Sequence, residues 1–371
     1  MQGLKKFLCQ AFLFSLPAVF VGLPCAFVLY YAGEYYSEED FLPLEDDQLS
    51  GLAYSNIDAV YKLDMANRFM QPDVLALGSS RIMQVKENVI NNRFSFYNAG
   101  GAIMNIYQYK MFMDRLHFSP KLVIINIDQW LFNPYYADQR TTLDKKCYQF
   151  PRRNFTFQCL SLITDTYKGK IDFVKLFDTD NNDIGLSAKI NRNGFSHDGS
   201  YYYGQLRANP SSSDDYNFVD TFRRIEEGNR NFQYCSAADT TIIEAMDSFL
   251  TDCVRRKVAV LAILPPFAPI VYKKMEESGK YHYMNQIIAL LSACFEKYPH
   301  CFIYDYTDVA SMNAQNYDFI DGFHGSEIIY NIILKDIVGK NKELEKYFAS
   351  TNAIDSINSQ YNSKHIRFHN Q

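Results

Sequence analysis

The stretch Asp73–Met83, DVLALGSSRIM, decides the fold. Val74 to Leu77 is an unbroken apolar run that stops at a glycine, two serines and an arginine. Read as a strand, it is buried on both faces. Its small hydroxyl end fits a tight turn, and equally a serine held out at the edge of a sheet to attack a substrate.

Four further runs share this character: FSFYN (94–98), KLVIINI (121–127), VAVLAIL (258–264) and CFIYDY (301–306). Between and after them, apolar residues recur at helical spacing over 104–118, 240–257, 283–298 and 326–339. A helical pattern is also expected between the first strand and FSFYN. Strands alternating with helices predict right-handed crossovers and an α/β three-layer sandwich around a central parallel sheet. Residues 128–235 break the alternation. They are rich in Asn, Asp, Tyr, Phe and Arg, and read as an insertion forming loops or a cap over the sheet edge. The segment 351–371 reads as a polar, mobile tail. No internal repeat is present.

Composition bounds the function. A net charge of −5 over 371 residues argues against nucleic acid as a partner. At 21% charged and 47% hydrophobic residues, most of the chain folds around a core. The 28 tyrosines and 29 phenylalanines against one tryptophan suit sugar or interface contacts, or simply a larger core.

Lys5 and Lys6 precede an uncharged apolar run from Phe7 to Tyr31, followed by Glu34, Glu38, Glu39 and Asp40. The run exceeds the roughly 20 residues that span a bilayer. It predicts a single-pass cell-membrane anchor with the main domain extracytoplasmic, periplasmic or extracellular. A cleaved signal peptide and a buried helix kinked at Pro17 and Pro24 are the rivals. The expected organisation is therefore a cytoplasmic tip and anchor over 1–33, a juxtamembrane linker over 34–58, an α/β domain over 59–350 and the tail. Of eight cysteines, Cys9 and Cys25 lie in the apolar run. Among the rest, Cys147 with Cys159 and Cys294 with Cys301 are spaced to close short disulfide loops, with buried free thiols as the equal alternative. No C-x-x-C supports a metal site, and no cofactor is expected.

In an open parallel sheet, ligands bind beyond the carboxyl ends of the strands. Gly78, Ser79 and Ser80 lie there, where the N-terminus of a following helix would favour an oxyanion. A serine nucleophile needs an oriented base. Of seven histidines, His365 and His369 lie in the tail, His117 and His300 flank helix ends, and His282 sits between tyrosines. His197, beside Asp198, is one candidate. His324 in DFIDGFHGSE is the other: it follows the last strand, and Asp321 three residues earlier shares one face of a helical turn. A helix-capping role for this pair is the plainer reading.

LALGSSR, YNAGGA, PKLVIINID and DFIDGFH, in that order, resemble the sequence blocks of the SGNH (GDSL-type) hydrolase superfamily. The resemblance covers roughly 74–128 and 258–339. It implies a flavodoxin-like fold, Ser80 rather than Ser79 as nucleophile, and His324 and Asp321 as base and orienting acid. It also implies an oxyanion hole made by the N–H of Ser80, that of Gly100 or Gly101, and an asparagine side chain after the third strand. Trp130 falls about where that asparagine belongs, with Asp128 and Gln129 nearby. Loss of one such donor costs about 3 kcal/mol of transition-state stabilisation. Anchored members with a GSS block resemble proteins of alginate and cell-envelope glycan O-acetylation and of teichoic acid D-alanylation, which work beside a multispanning membrane O-acyltransferase. The implied function is acyl transfer or acyl-ester hydrolysis on a cell-envelope or exported polysaccharide, through an acyl-serine. The alternative is a catalytically silent glycan-binding or scaffolding protein of the same fold. Tyr201, Tyr202 and Tyr203 in SHDGSYYYG are the candidate substrate-binding residues of the insertion. No carboxylate pair is placed for glycoside cleavage.

Overall fold

All five apolar runs form strands of one sheet in the computed structural model, which describes residues 2–35, 42–55, 58–136, 154–363 and 367–369. In chain order the strands are β1 (Val74–Gly78), β2 (Phe96–Gly100), β3 (Leu122–Asn126), β4 (Asn193–Phe195), β5 (Tyr201–Tyr203), β6 (Ala259–Leu264) and β7 (Cys301–Asp305). The main sheet runs β2-β1-β3-β6-β7, with every pair parallel. β4 and β5 form a separate antiparallel hairpin within the insertion.

β1, β2, β3 and β6 are buried along their whole length, which is why they carry no alternation of polar residues. Helices cover them by apolar stripes: Ile242–Arg255 buries Ile242, Met246, Phe249, Leu250 and Cys253 at spacings of one helical turn. From β1 the chain moves to β2 on one side and then to β3 on the other. The carboxyl ends of β1 and β3 thus flank the crevice where strand order reverses, and Ser80 follows β1 there.

The helix expected between β1 and β2 is absent. Two short 3-10 turns, Ser80–Ile82 and Glu87–Val89, stand in its place. The carbonyls a helix would use are taken: Asn98 Nδ2 donates to Ile82 O (2.9 Å) and Val85 O (2.7 Å), and Tyr201 N–H to Met83 O (3.1 Å).

At the N-terminus, the helix Gln2–Ala32 is bent by 47° between Gly3–Leu16 and Val19–Ala32, with Pro17, which lacks an amide hydrogen, in the break. No single helix among the described residues is long and apolar enough to cross a membrane; the bent pair together reaches that length and composition. Cys25, Leu29 and Ala32 pack on Cys159, Leu162, Leu176, Leu186 and Ile190 of the insertion. The described residues of segment 34–58, 34–35, 42–55 and 58, are pinned to the same body. Ser50 bridges Ile184 and Phe195, and the Glu34 carboxylate accepts N–H from Ala53, Leu186 and Tyr54. Burial pushes the Glu34 pKa up against those bonds.

The tail is not a mobile segment where it is described. Thr351–Ser363 is a helix with Ile354 buried, and Phe368 and His369 are buried beyond it. Apolar Ile354 and Phe368 supply the burial that a polar overall composition conceals. Cys159, Cys294 and Cys301 are free buried thiols. Cys147 lies outside the described residues.

Candidate active site

The site begins with Gly78. A Cβ there would lie 1.7 Å from Asn126 Oδ1, so the last residue of β1 must lack one for Asn126, the last residue of β3, to reach across. Asn126 Oδ1 accepts the Ser79 N–H (3.1 Å), and Nδ2 donates to Ser79 Oγ (2.9 Å) and Asp128 Oδ1 (2.9 Å). Ser79 is thereby a structural residue of the turn, and its Oγ also caps Arg81 N–H (3.2 Å).

Ser80 is directed elsewhere. Its Oγ lies 2.8 Å from His324 Nε2, though 244 residues separate them. His324 Nδ1 lies 2.7 Å from Asp321 Oδ2, while Asp321 Oδ1 accepts the backbone N–H of Phe323 (3.0 Å) and His324 (2.8 Å). A carboxylate only accepts, so Nδ1 carries the proton and Nε2 is left to accept the Ser80 hydroxyl. Burial alone would raise the Asp321 pKa, but His324 and these hydrogen bonds outweigh it and hold the acid below its ordinary range. Sequence spacing placed Asp321 and His324 together, and the sheet order brings Ser80 to them.

The expected oxyanion donors do not assemble in this way. Gly100 N–H donates to Asn98 Oδ1 (2.7 Å), and Gly101 N–H to Gly78 O (2.9 Å). The Asn98 side chain of β2 takes the first amide, and the turn after β2 folds onto β1 to take the second. Gln129, the nearby candidate substitute, donates to Pro265 O (2.7 Å) and Thr307 Oγ1 (2.8 Å). Trp130 packs edge-to-face on Phe323 with centroids 5.8 Å apart. Among the described residues, the Ser80 N–H has no acceptor.

Sequence reasoning missed Arg81. It is 1% exposed, and its guanidinium donates to Phe323 O, Gln129 Oε1, Pro265 O and Pro266 O. Trp130 and Phe267 flank it with ring centres 5.1 and 4.6 Å away, and Asp128 lies 3.6 Å off. Burial pushes the Asp128 pKa up, against the pull of Arg81. The available signal was an arginine directly after a buried strand and its serine turn.

The rival base, His197, is not at this site: its Nε2 meets Glu87 Oε2 at 3.1 Å. The three tyrosines of β5 do not act as one group, because a strand alternates its side chains. Tyr201 and Tyr203 pack against each other with their rings tilted by 60° and centroids 4.7 Å apart, and Tyr203 lies within the electrostatic reach of Asp321. Tyr202 turns the other way, with the Arg207 guanidinium 5.1 Å over its ring. Burial raises both inner phenols, that of Tyr201 to about 12. No group of three or more His, Cys, Asp or Glu converges as a metal site among the described residues.

No protein-family model matches this chain, and no curated protein matches it.

Proposed function

We propose that the protein is a membrane-anchored, extracytoplasmic serine acyltransferase or acylesterase of SGNH type, acting on a cell-envelope or exported polysaccharide. The observation that carries this reading is the chain Ser80 Oγ–His324 Nε2 (2.8 Å) and His324 Nδ1–Asp321 (2.7 Å) at the carboxyl edge of a parallel sheet. The sheet order supports a flavodoxin-like arrangement, with the site beside its switch point. The bent apolar pair Gly3–Leu16 and Val19–Ala32 supports the anchor.

In this mechanism Ser80 Oγ attacks an acyl carbonyl while its proton passes to His324 Nε2. Asp321 stabilises the imidazolium, and the Ser80 N–H donates to the oxyanion. His324 returns the proton to the leaving oxygen as the acyl-serine forms. A sugar hydroxyl, or water, then attacks the acyl carbon as its proton passes to His324, and His324 hands that proton to Ser80 Oγ as the acyl–oxygen bond breaks. The glycan acceptor and a multispanning acyltransferase partner follow from the family resemblance alone.

One observation favours the second reading, a silent glycan-binding or scaffolding protein: both Gly100 and Gly101 amides are already bonded, leaving, of the amides the resemblance names and among the described residues, that of Ser80 without an acceptor. Labelling with a serine-directed fluorophosphonate separates the two. The acyl-serine reading expects modification at Ser80, lost in Ser80→Ala and His324→Ala, reduced in Asp321→Asn and retained in His197→Ala. No labelling of the folded parent protein, by this reagent or by an activated ester, selects the silent reading.

A further inference from the structure

The helix Phe155–Tyr167 is apolar on two faces. One face buries Cys159 and Leu162 against the N-terminal helix. The other exposes Phe157, Leu160, Ile163 and Tyr167, three or four residues apart, with Tyr167 at 92%. A helix on a water-facing surface carries charge there. This helix has one acid, Asp165, which is occupied by Tyr54 Oη (3.0 Å) and Lys170 (3.5 Å). The next helix, Phe173–Leu176, adds Phe173 and Val174, the latter 85% exposed.

These residues continue the apolar surface of the N-terminal helix. Phe177 lies 5.0 Å from Tyr31 and 6.2 Å from Phe27 between ring centres, and Tyr35 lies 6.1 Å from Phe155. Phe20, Leu23 and Tyr30 of the N-terminal helix are exposed. Lys168, Lys170 and Lys175 stand exposed beside it, with the acids Asp172, Asp178 and Asp180 interspersed. An exposed apolar patch flanked by lysines and rich in Phe and Tyr is what the boundary between lipid headgroups and acyl chains takes up.

We infer that the insertion is a second membrane contact: the Phe155–Tyr167 and Phe173–Leu176 helices rest in the bilayer surface beside the anchor. The inference builds on the anchored reading above. It gives the insertion a task, holding the α/β domain at a fixed height and tilt over the membrane rather than on a free tether.

The test uses the full chain in vesicles of phosphatidylcholine and phosphatidylglycerol, with and without brominated acyl chains. Single tryptophans are added by Leu160→Trp, Val174→Trp, Phe14→Trp and Ile270→Trp, each checked for parental circular dichroism, with native Trp130 as the common background. Brominated lipid should lower the added emission roughly twofold or more for Leu160→Trp and Val174→Trp, as for Phe14→Trp in the anchor, and leave Ile270→Trp unchanged. Quenching of Phe14→Trp alone overturns the inference and leaves the anchor standing; that is also the result if a second copy or another protein covers the patch. No quenching at any position removes the anchored reading as well.

Discussion

Arg81 Nε–H donates to the Phe323 carbonyl at 2.8 Å. Arg81 follows Ser80 and Phe323 precedes His324, so one buried guanidinium ties the turn of the proposed nucleophile to that of the proposed base. It then spans to Pro265 and Pro266, beyond β6. Lysine lacks the planar fork needed to reach these acceptors together. Arg81→Lys should lower kcat for an activated ester by roughly ten- to a hundredfold, with KM near parental, because a small misplacement of Ser80 against His324 is costly. A purely structural role would lower thermal stability with kcat per folded molecule unchanged. Arg81→Met should cost about 3–5 kcal/mol by stranding Asp128, and adding Asp128→Asn should recover part of that.

Gly78 and Asn126 form one device. Asn126→Ala strands the Ser79 N–H and removes a donor from Asp128, a loss of about 1–3 kcal/mol. Gly78→Ala places a Cβ against Asn126 Oδ1 and should evict the same amide. The double variant should therefore be less destabilised than the two losses added. Additive melts would show that the two positions act independently.

These two relationships mark where the sequence stops being legible. β1, β3 and β6 were readable because each is buried along its whole length, which writes a continuous apolar run. Ser80, His324 and Asp321 were readable because their types, order and one local spacing coincide. Asn126 and Arg81 bond to partners brought near only by strand register and by loop returns from Pro265 and Phe323. That both glycine amides, of Gly100 and Gly101, are already bonded has the same cause. That Gly101 folds onto Gly78 follows from the pairing Gly78–Gly100, which no local pattern encodes. The helix expected between β1 and β2 lost to Asn98, whose amide competes for its carbonyls.

Alternation along β5 separates its tyrosines. Tyr203, on the Tyr201 face and within reach of the Asp321 charge, belongs to the Ser80 side of the hairpin. Tyr203→Ala should slow transfer to an oligosaccharide acceptor while sparing the first acylation of Ser80 by a small ester. Tyr202→Ala, which removes a ring from Arg207, should leave both rates parental. The measurement is acyl-enzyme formation and decay with and without acceptor. Equal effects of the two substitutions would remove β5 from acceptor selection.

Lys62 supplies a pH test independent of catalysis. It is fully buried, donating to Asn98 O (2.9 Å) and Gly199 O, with its Nζ 3.7 Å over the Phe195 ring. Burial drives its pKa from 10.5 down to about 7, against Asp58 and Asp198, which pull it up. Between those two values the unfolded chain holds a proton that the folded chain has released, so stability rises with pH, by up to ~1.4 kcal/mol per unit. Below about pH 7 both states are protonated and this contribution is flat. The buried thiols oppose it at higher pH: burial raises Cys294 to about 11 and Cys301 to about 12, so stability falls once unfolded thiols ionise near pH 8.5. The useful window is therefore about pH 7 to 8.2. Across it, the parent protein should gain about 1 kcal/mol relative to Lys62→Met, whose side chain does not titrate. Denaturant unfolding of both proteins at the two pH values measures this. Parallel pH responses would show that Lys62 stays charged in the folded protein.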